Sequence, residues 1–321
     1  MKSTNRVFCA FAALAFSIGI YAQSGTNSPY SQYGLGVLSD QTSGFNRGMN
    51  GVGLGFREHN QVNFINPASY SAVDSLSFIF DVGFSGQITN FNESGKKINA
   101  KNADFEYAVA AFRVAKGFGV SFGILPYTNV GYNYTSSTPG SNVLSTTYSN
   151  SYYGEGGLHQ VYVGLGYQLF KGFSLGANVS YLWGRYDKTV TNSYSDSYAK
   201  TIQKVYSASV TNYKLDFGVQ YAFAVDKKNE FTLGATYSPG HDIGGNPSCV
   251  VTSTNPTTST PETAPYSLKD GLKIPTTVGV EQCQPHQVGS GLQLPEMERN
   301  RFPCLCREQS GFGLCDEQRL L

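Results

Sequence analysis

The sequence predicts an all-β chain, an antiparallel transmembrane β-barrel with an N-terminal segment plugging its lumen. Three observations predict it: long alternating segments recur along the chain, no apolar run is long enough to span a bilayer as a helix, and charge is scarce while Gly and aromatics abound. Charged residues are 14% of the 321, against about 25% in ordinary soluble proteins, whereas Gly numbers 36, Tyr 22 and Phe 21. With 23 Lys and Arg against 22 Asp and Glu the net charge is +1. That balance gives no polyanion-binding surface and excludes nucleic acid as a partner.

The N-terminus reads as an export signal over residues 1–22. Lys2 and Arg6 form a basic start, Val7 to Ile20 an apolar run, and Ala22 a small residue at the cut site. Cys9 lies near the start of that run and not after it, so no lipid-acceptor cysteine is expected.

The strand region spans residues 75–280. From Leu76 to Ile88 every second residue is apolar or Gly, a period of two that only a strand satisfies. Its length suits the roughly 9–11 residues of a tilted membrane strand better than the 5–6 typical of globular sheets. Phe105, Tyr107, Val109 and Ala111 form the apolar face of the next strand, and Phe118 to Ile124 that of the third. Val161 to Leu169, Phe173 to Trp183, Tyr213 to Val225 and Phe231 to Tyr237 follow, with an eighth strand starting near Lys273. Seven or eight strands are present, fewer than a large barrel needs.

Between them, Lys116/Gly117, Lys171/Gly172 and Asp226 to Asn229 read as tight turns. Thr89 to Ala103, Tyr127 to Leu158, Tyr186 to Asn212 and Pro239 to Leu272 read as long loops. Short and long connections in alternation are the habit of outer-membrane barrels, with short periplasmic turns and apolar residues facing lipid. Tyr127, Tyr181, Trp183, Tyr186 and Tyr237 at strand ends fit an interfacial aromatic girdle, and Asp81 and Asp216 fall on the lumen face.

Residues 23–74 carry no strand period. They hold a Gly-rich stretch with Gly48, Gly51 and Gly53, then Asn66, Pro67 and Ala68 immediately before the first strand. In this arrangement, in the hairpin Lys116 to Pro126 and in the Pro-containing strand start at Ile274 to Gly279, the chain resembles the FadL/TodX outer-membrane transport family. The resemblance implies a barrel of fourteen strands when complete, closed by an N-terminal hatch. It also implies a passive channel in the cell outer membrane for hydrophobic small molecules such as long-chain fatty acids or aromatic hydrocarbons, with membrane lipid and that ligand as partners. The plug motif would be Gly48, Gly51, Gly53, Asn66, Pro67 and Ala68. Two other readings stay open: the same kind of barrel used as a scaffold or secretion-associated protein that binds protein partners, and a general porin.

Residues 281–321 break the pattern. They hold no Tyr, Trp, Thr, Ala, Ile or Lys, yet contain Cys283, Cys304, Cys306 and Cys315 of the chain's six cysteines. The shift predicts a tail translated out of frame after Val280. The codons allow a check, because Met297 followed by Glu298 must read as Trp one base later. A metal appendage on Cys283, His286, Cys304 and Cys306 is disfavoured by the tight Cys304/Cys306 spacing.

No catalytic constellation is present. His59, His159, His241 and His286 are scattered, and Gly51 to Gly55 opens no helix after a strand, so neither an enzyme nor a cofactor is expected.

Overall fold

A computed structural model describes residues 26–93, 96–139, 147–196, 198–224, 230–245, 247–255, 257–258, 260–267 and 271–283. The export signal, the turn at Asp226 to Asn229 and the tail beyond Cys283 lie outside the described residues.

A 3₁₀ turn at Pro29–Gln32 leads to the two-residue strand β1 (Val37–Leu38). A single helical turn, α1 (Gly44–Gly48), is capped by the Ser43 side chain, which accepts from the Asn46 N–H. A second 3₁₀ turn, Pro67–Ala72, precedes the sheet. The strands then follow as β2 (Phe78–Glu93), β3 (Lys96–Ala115), β4 (Phe118–Pro139), β5 (Thr147–Phe170), β6 (Phe173–Tyr194), β7 (Thr201–Ala224) and β8 (Glu230–Ser238). After these come β9 (His241–Gly244), β10 (Ser248–Thr254), β11 (Pro261–Ser267), β12 (Leu272–Ile274) and β13 (Thr277–Cys283). The fold is all-β, antiparallel and barrel-like. Among the described residues β2 and β13 are not paired to each other, so the sheet is open.

Alternation sorts the two faces as the physics of a period of two requires. On one face Phe80, Val163, Val179, Tyr213 and Val278 are exposed. On the other Ser121, Gln160, Tyr162, Ser180 and Gln220 are buried. The exposed apolar band on β5, from Val161 to Leu169, covers about nine residues, the depth of a bilayer core. Two tight turns close at one end of the band, with Gly117 at φ 71° and Gly172 at φ 88°, a region that costs Gly nothing.

Four features differ from the sequence reading. The expected long loops are largely strand: β4 to β7 continue well beyond the apolar band, with Tyr134 paired to Tyr152 and Tyr148 to Tyr194. These extensions are rich in Thr, Tyr, Val and Ser, residues that favour a pleated surface, and their inner face is apolar only over a short stretch, where Val130, Tyr132, Tyr186 and Ala208 form a buried cluster, so the hydrophobic period does not run their full length. The apolar set of β3 points inward and not outward. Glu106 is an extra residue between the pairs Gly83–Tyr107 and Phe84–Phe105, and this bulge reverses parity, so Phe105 stays outward while Tyr107, Val109 and Ala111 enter a buried cluster with Val62, Phe64 and Tyr70. Tyr127, the extra residue of a second bulge, and Tyr186 are buried and form no girdle, whereas Tyr181 and Tyr237 are exposed. Finally, β13 carries its alternation to Cys283, three residues past Val280.

The sheet divides at two places. β3 and β4 pair only near the turns, from Ala108–Ile124 to Ala115–Phe118, and farther out β1 takes the edge of β4 through Val37–Asn129 and Leu38–Thr128. β7 pairs β8 through its second half and β10 through its first. The inner face is filled along its length. Residues 40–74 cover the turn end, and at the far end Ile243 of β9 and Ile274 of β12 pack on Tyr127, Leu158, Leu182 and Val210.

Candidate functional site

Where residues 53–71 cross the inner face of the sheet, each strand supplies the residue that lets them approach. Gly119 of β4 pairs with Gly166 of β5, Gly166 with Gly176 of β6, and Gly176 with Gly218 of β7, so four glycines stand side by side across four strands. The turn Asn66–Ser71 runs along this row. A β-carbon on Gly119 would overlap the Tyr70 carbonyl, one on Gly176 the Pro67 carbonyl carbon, and one on Gly218 the Asn66 side-chain oxygen. At Gly119, Gly166 and Gly176 backbone lies directly on backbone, and any larger residue there would lift the turn.

The turn is built by its own capping chemistry. Asn66 accepts from the Ala68 N–H at 3.1 Å, and Pro67 occupies the first position, where no N–H is required. The Asn66 amide donates to the carbonyls of Leu54 at 2.7 Å and Val219 at 3.2 Å, joining two plug segments to β7. Ser69 Oγ donates to the Asn66 carbonyl at 2.8 Å. Tyr70 is 1% exposed, and burial pushes its phenol well above the ordinary pKa.

A second row holds residues 53–57. Ser174, Gln220, Gly234 and Glu281 are cross-strand neighbours on β6, β7, β8 and β13. Gln220 donates to the Leu54 carbonyl at 2.9 Å and the Phe56 carbonyl at 3.0 Å. The Glu281 carboxylate accepts from the N–H groups of Leu54 at 2.7 Å and Gly53 at 3.1 Å. Arg57 donates to Ser174 Oγ at 2.7 Å. Segments without strand or helix must satisfy their buried backbone groups through such side chains.

At the β3 bulge Arg47 pairs with Glu106 at 2.7 Å and Asp40 at 2.9 Å. Glu106 holds the guanidinium above its usual pKa. Tyr107 accepts from the Gly44 N–H at 2.7 Å and donates to Asp81 at 3.1 Å. Replacing Tyr107 with Phe keeps the ring and removes both bonds, leaving an unmet N–H. The expected loss is about 1–2 kcal/mol, read as a lower urea midpoint with an unchanged slope.

Of the plug-motif residues, the structure brings Gly53, Asn66, Pro67 and Ala68 into the two rows. It leaves Gly48 and Gly51 at an exposed turn, with open space around their Cα atoms and Gly51 at φ 80°. Asp81 and Asp216 both lie on the inner face, Asp216 paired with Lys214. Gly119, Gly166, Ser174, Gln220 and Arg57 are site residues that the motif did not reveal. Their only sequence signal is a small or polar residue at an inward position, which does not tell where a plug will touch. Among the described residues no group of three or more His, Cys, Asp and Glu is placed to hold a metal, and the site holds no nucleophile–base pair. What it does chemically is bind a segment of its own chain by main-chain recognition.

A family model described as BamG matches residues 4–300. The match continues past Val280 into the segment that composition sets apart. No curated protein and no solved structure matches the chain. BamG is a different family from FadL/TodX, so that resemblance does not hold, and the channel for hydrophobic compounds with its small-molecule ligand falls with it. The physical reason is visible at Asn66. An Asn-Pro start is a general way to begin a tight turn, and a Gly-rich approach is what any close backbone contact requires, so the motif reports the chemistry of a seated plug and not one family's cargo.

Proposed function

Because the chain belongs to the BamG family, we propose that it is an integral outer-membrane protein whose work is to bind protein partners within the BAM complex, the outer-membrane β-barrel assembly machinery. The observation that carries this reading is the family match across residues 4–300. Family membership itself implies association with the outer membrane. The geometry supports the finer reading in two ways. The exposed apolar band has bilayer depth, and in this orientation it meets lipid while the turns at Gly117 and Gly172 face the periplasm. The inner face is occupied by the chain's own residues, held by hydrogen bonds to backbone, an arrangement suited to a rigid scaffold.

The test is co-purification from crosslinked outer membranes with a tagged copy of the full chain. The expected result is recovery of the BAM barrel subunit in amounts comparable to the tagged chain, and recovery of the tagged chain alone would refute the reading.

A further inference from the structure

We infer that the outer part of the hairpin β2–β3 is a hinged arm of the wall, held shut by a latch of two side-chain hydrogen bonds at the N-terminal segment 26–41. The inference goes beyond the partner-binding reading and does not depend on it.

The strand registers define the arm. β3 and β4 are joined at Gly117, yet their ladder ends at Ala108–Ile124. Farther out, β4 stays paired to β5 as far as Pro139–Thr147, whereas among the described residues β3 pairs only β2. The ten pairs from Phe84–Phe105 to Glu93–Lys96 are therefore a ribbon of two strands, roughly 33 Å long. Such a ribbon has little stability of its own and keeps its place by what it touches. It touches little: Phe84 is 77% and Ile88 71% exposed, and nothing stands within 4 Å of a β-carbon built on Gly86.

The base of the arm is fixed. The bulge at Glu106 lies where the ribbon leaves the sheet, and a bulge bends its strand. There Arg47 pairs with Glu106, and Tyr107 accepts from the Gly44 N–H, so the plug holds the two residues from which the arm departs. Hinges of this kind place the bend in a few residues and leave the element beyond rigid.

The latch is at the next residues outward. Asn27 donates from its amide to the Asn102 side-chain oxygen at 2.6 Å, and the Asn129 amide donates to the Asp104 carboxylate at 3.4 Å. Asn102 and Asp104 are two apart and share one face of β3. Asn129 lies opposite Val37 of β1 in the N-terminal segment.

That segment belongs to β4 and not to the arm. The Gly131 N–H donates to Ser31 Oγ at 3.1 Å, the Ser39 N–H to the Tyr127 carbonyl at 2.9 Å, and the Gln41 amide to the Pro126 carbonyl at 2.9 Å. Gly36, at φ 102°, lies so close that a β-carbon would overlap the Asn129 carbonyl. Main-chain bonds thus fasten the segment on one side, and side chains alone reach across to the ribbon. The weaker side is the one that parts. Each such bond shifts an open–closed balance by roughly fivefold, so losing both shifts it by about thirtyfold. Opening uncovers the β3 edge from Lys96 to Tyr107 and the facing edge of β4.

The test measures the distance between spin labels at Ile88→Cys on the arm and Tyr153→Cys on β5, by pulsed electron paramagnetic resonance. The full chain is used in lipid nanodiscs, with its native cysteines replaced by Ser and folding verified by heat-modifiable gel mobility. The expected result is one narrow distribution with the latch intact. Asn102→Ala with Asp104→Ala should move at least half of the molecules to distances longer by about 10 Å, the swing of a 33 Å arm through roughly 20°. Asn92→Ala, at an exposed arm position, should change nothing. A folded latch variant that keeps the narrow distribution overturns the inference. So does an intact latch that already gives the broad one, or an equal shift in Asn92→Ala. If the double variant does not fold, Asn27→Ala with Asn129→Ala removes the same two bonds from the other side and is read in the same way.

Discussion

Gly176→Val abolishes the seated plug. The new side chain begins where the Pro67 carbonyl now lies, and on both sides the obstacle is backbone, so no rotamer relieves it. Overpacking of this kind costs about 3 kcal/mol or more where nothing flexible yields. The expected readout is loss of the heat-modifiable gel species, or a folded species whose residues 26–74 are rapidly digested. Gly86→Val is the matched control. Gly86 also lies in a strand, but nothing stands within 4 Å of its would-be β-carbon, and the expected change is within about 0.5 kcal/mol. Equal behaviour of the two variants would show that the glycine row does not seat the turn.

Asn66→Asp separates the two jobs of one side chain. The acceptor that caps Ala68 survives, but the amide that donates to Leu54 and Val219 becomes an oxygen facing two carbonyls in a fully buried position. Two lost donations and an unpaired buried charge cost about 2–4 kcal/mol. The sheet needs none of these bonds, so the effect is expected in the plug alone. Trypsin cleavage after Arg47 and Arg57 should accelerate at least tenfold while β-sheet circular dichroism is unchanged, since cleavage tracks the population of the opened state. Unchanged cleavage would mean that the plug is held without Asn66. Combined with Gly176→Val, the Asp substitution should add almost nothing, because both act on the same contact.

Much of the sheet was legible because a bilayer-depth strand buries neither face in the same solvent. Val161 to Leu169 and Phe173 to Trp183 show the period along their length, the turn between them is marked by Gly172, and the turn from β3 to β4 is marked by Gly117. The extensions of β4 to β7 were not legible, since Thr, Ser, Asn and Tyr dominate there and the apolar inner stretch at Val130, Tyr132, Tyr186 and Ala208 is short, so only the neighbouring strand makes them a sheet. The inward turn of Tyr107 was hidden by one residue. Nothing in the local sequence marks Glu106 as a bulge. Its inward position is satisfied by Arg47, 59 residues away.

The candidate site divides in the same way. Asn66 and Pro67 are recognisable as a turn start from the sequence, because capping is a local interaction between neighbours in the chain. The meeting of Gly119, Gly166, Gly176 and Gly218 depends on the register of four strands drawn from a hundred residues, and no local signal contains it. The sequence by itself determined the fold class, the bilayer-depth band and the turns, since each follows from periodicity or from single-residue conformational preference. Tertiary structure alone decided what fills the inner face, which residues seat the plug and how far the sheet projects, because those rest on backbone pairing and close approach between segments that the chain order keeps apart.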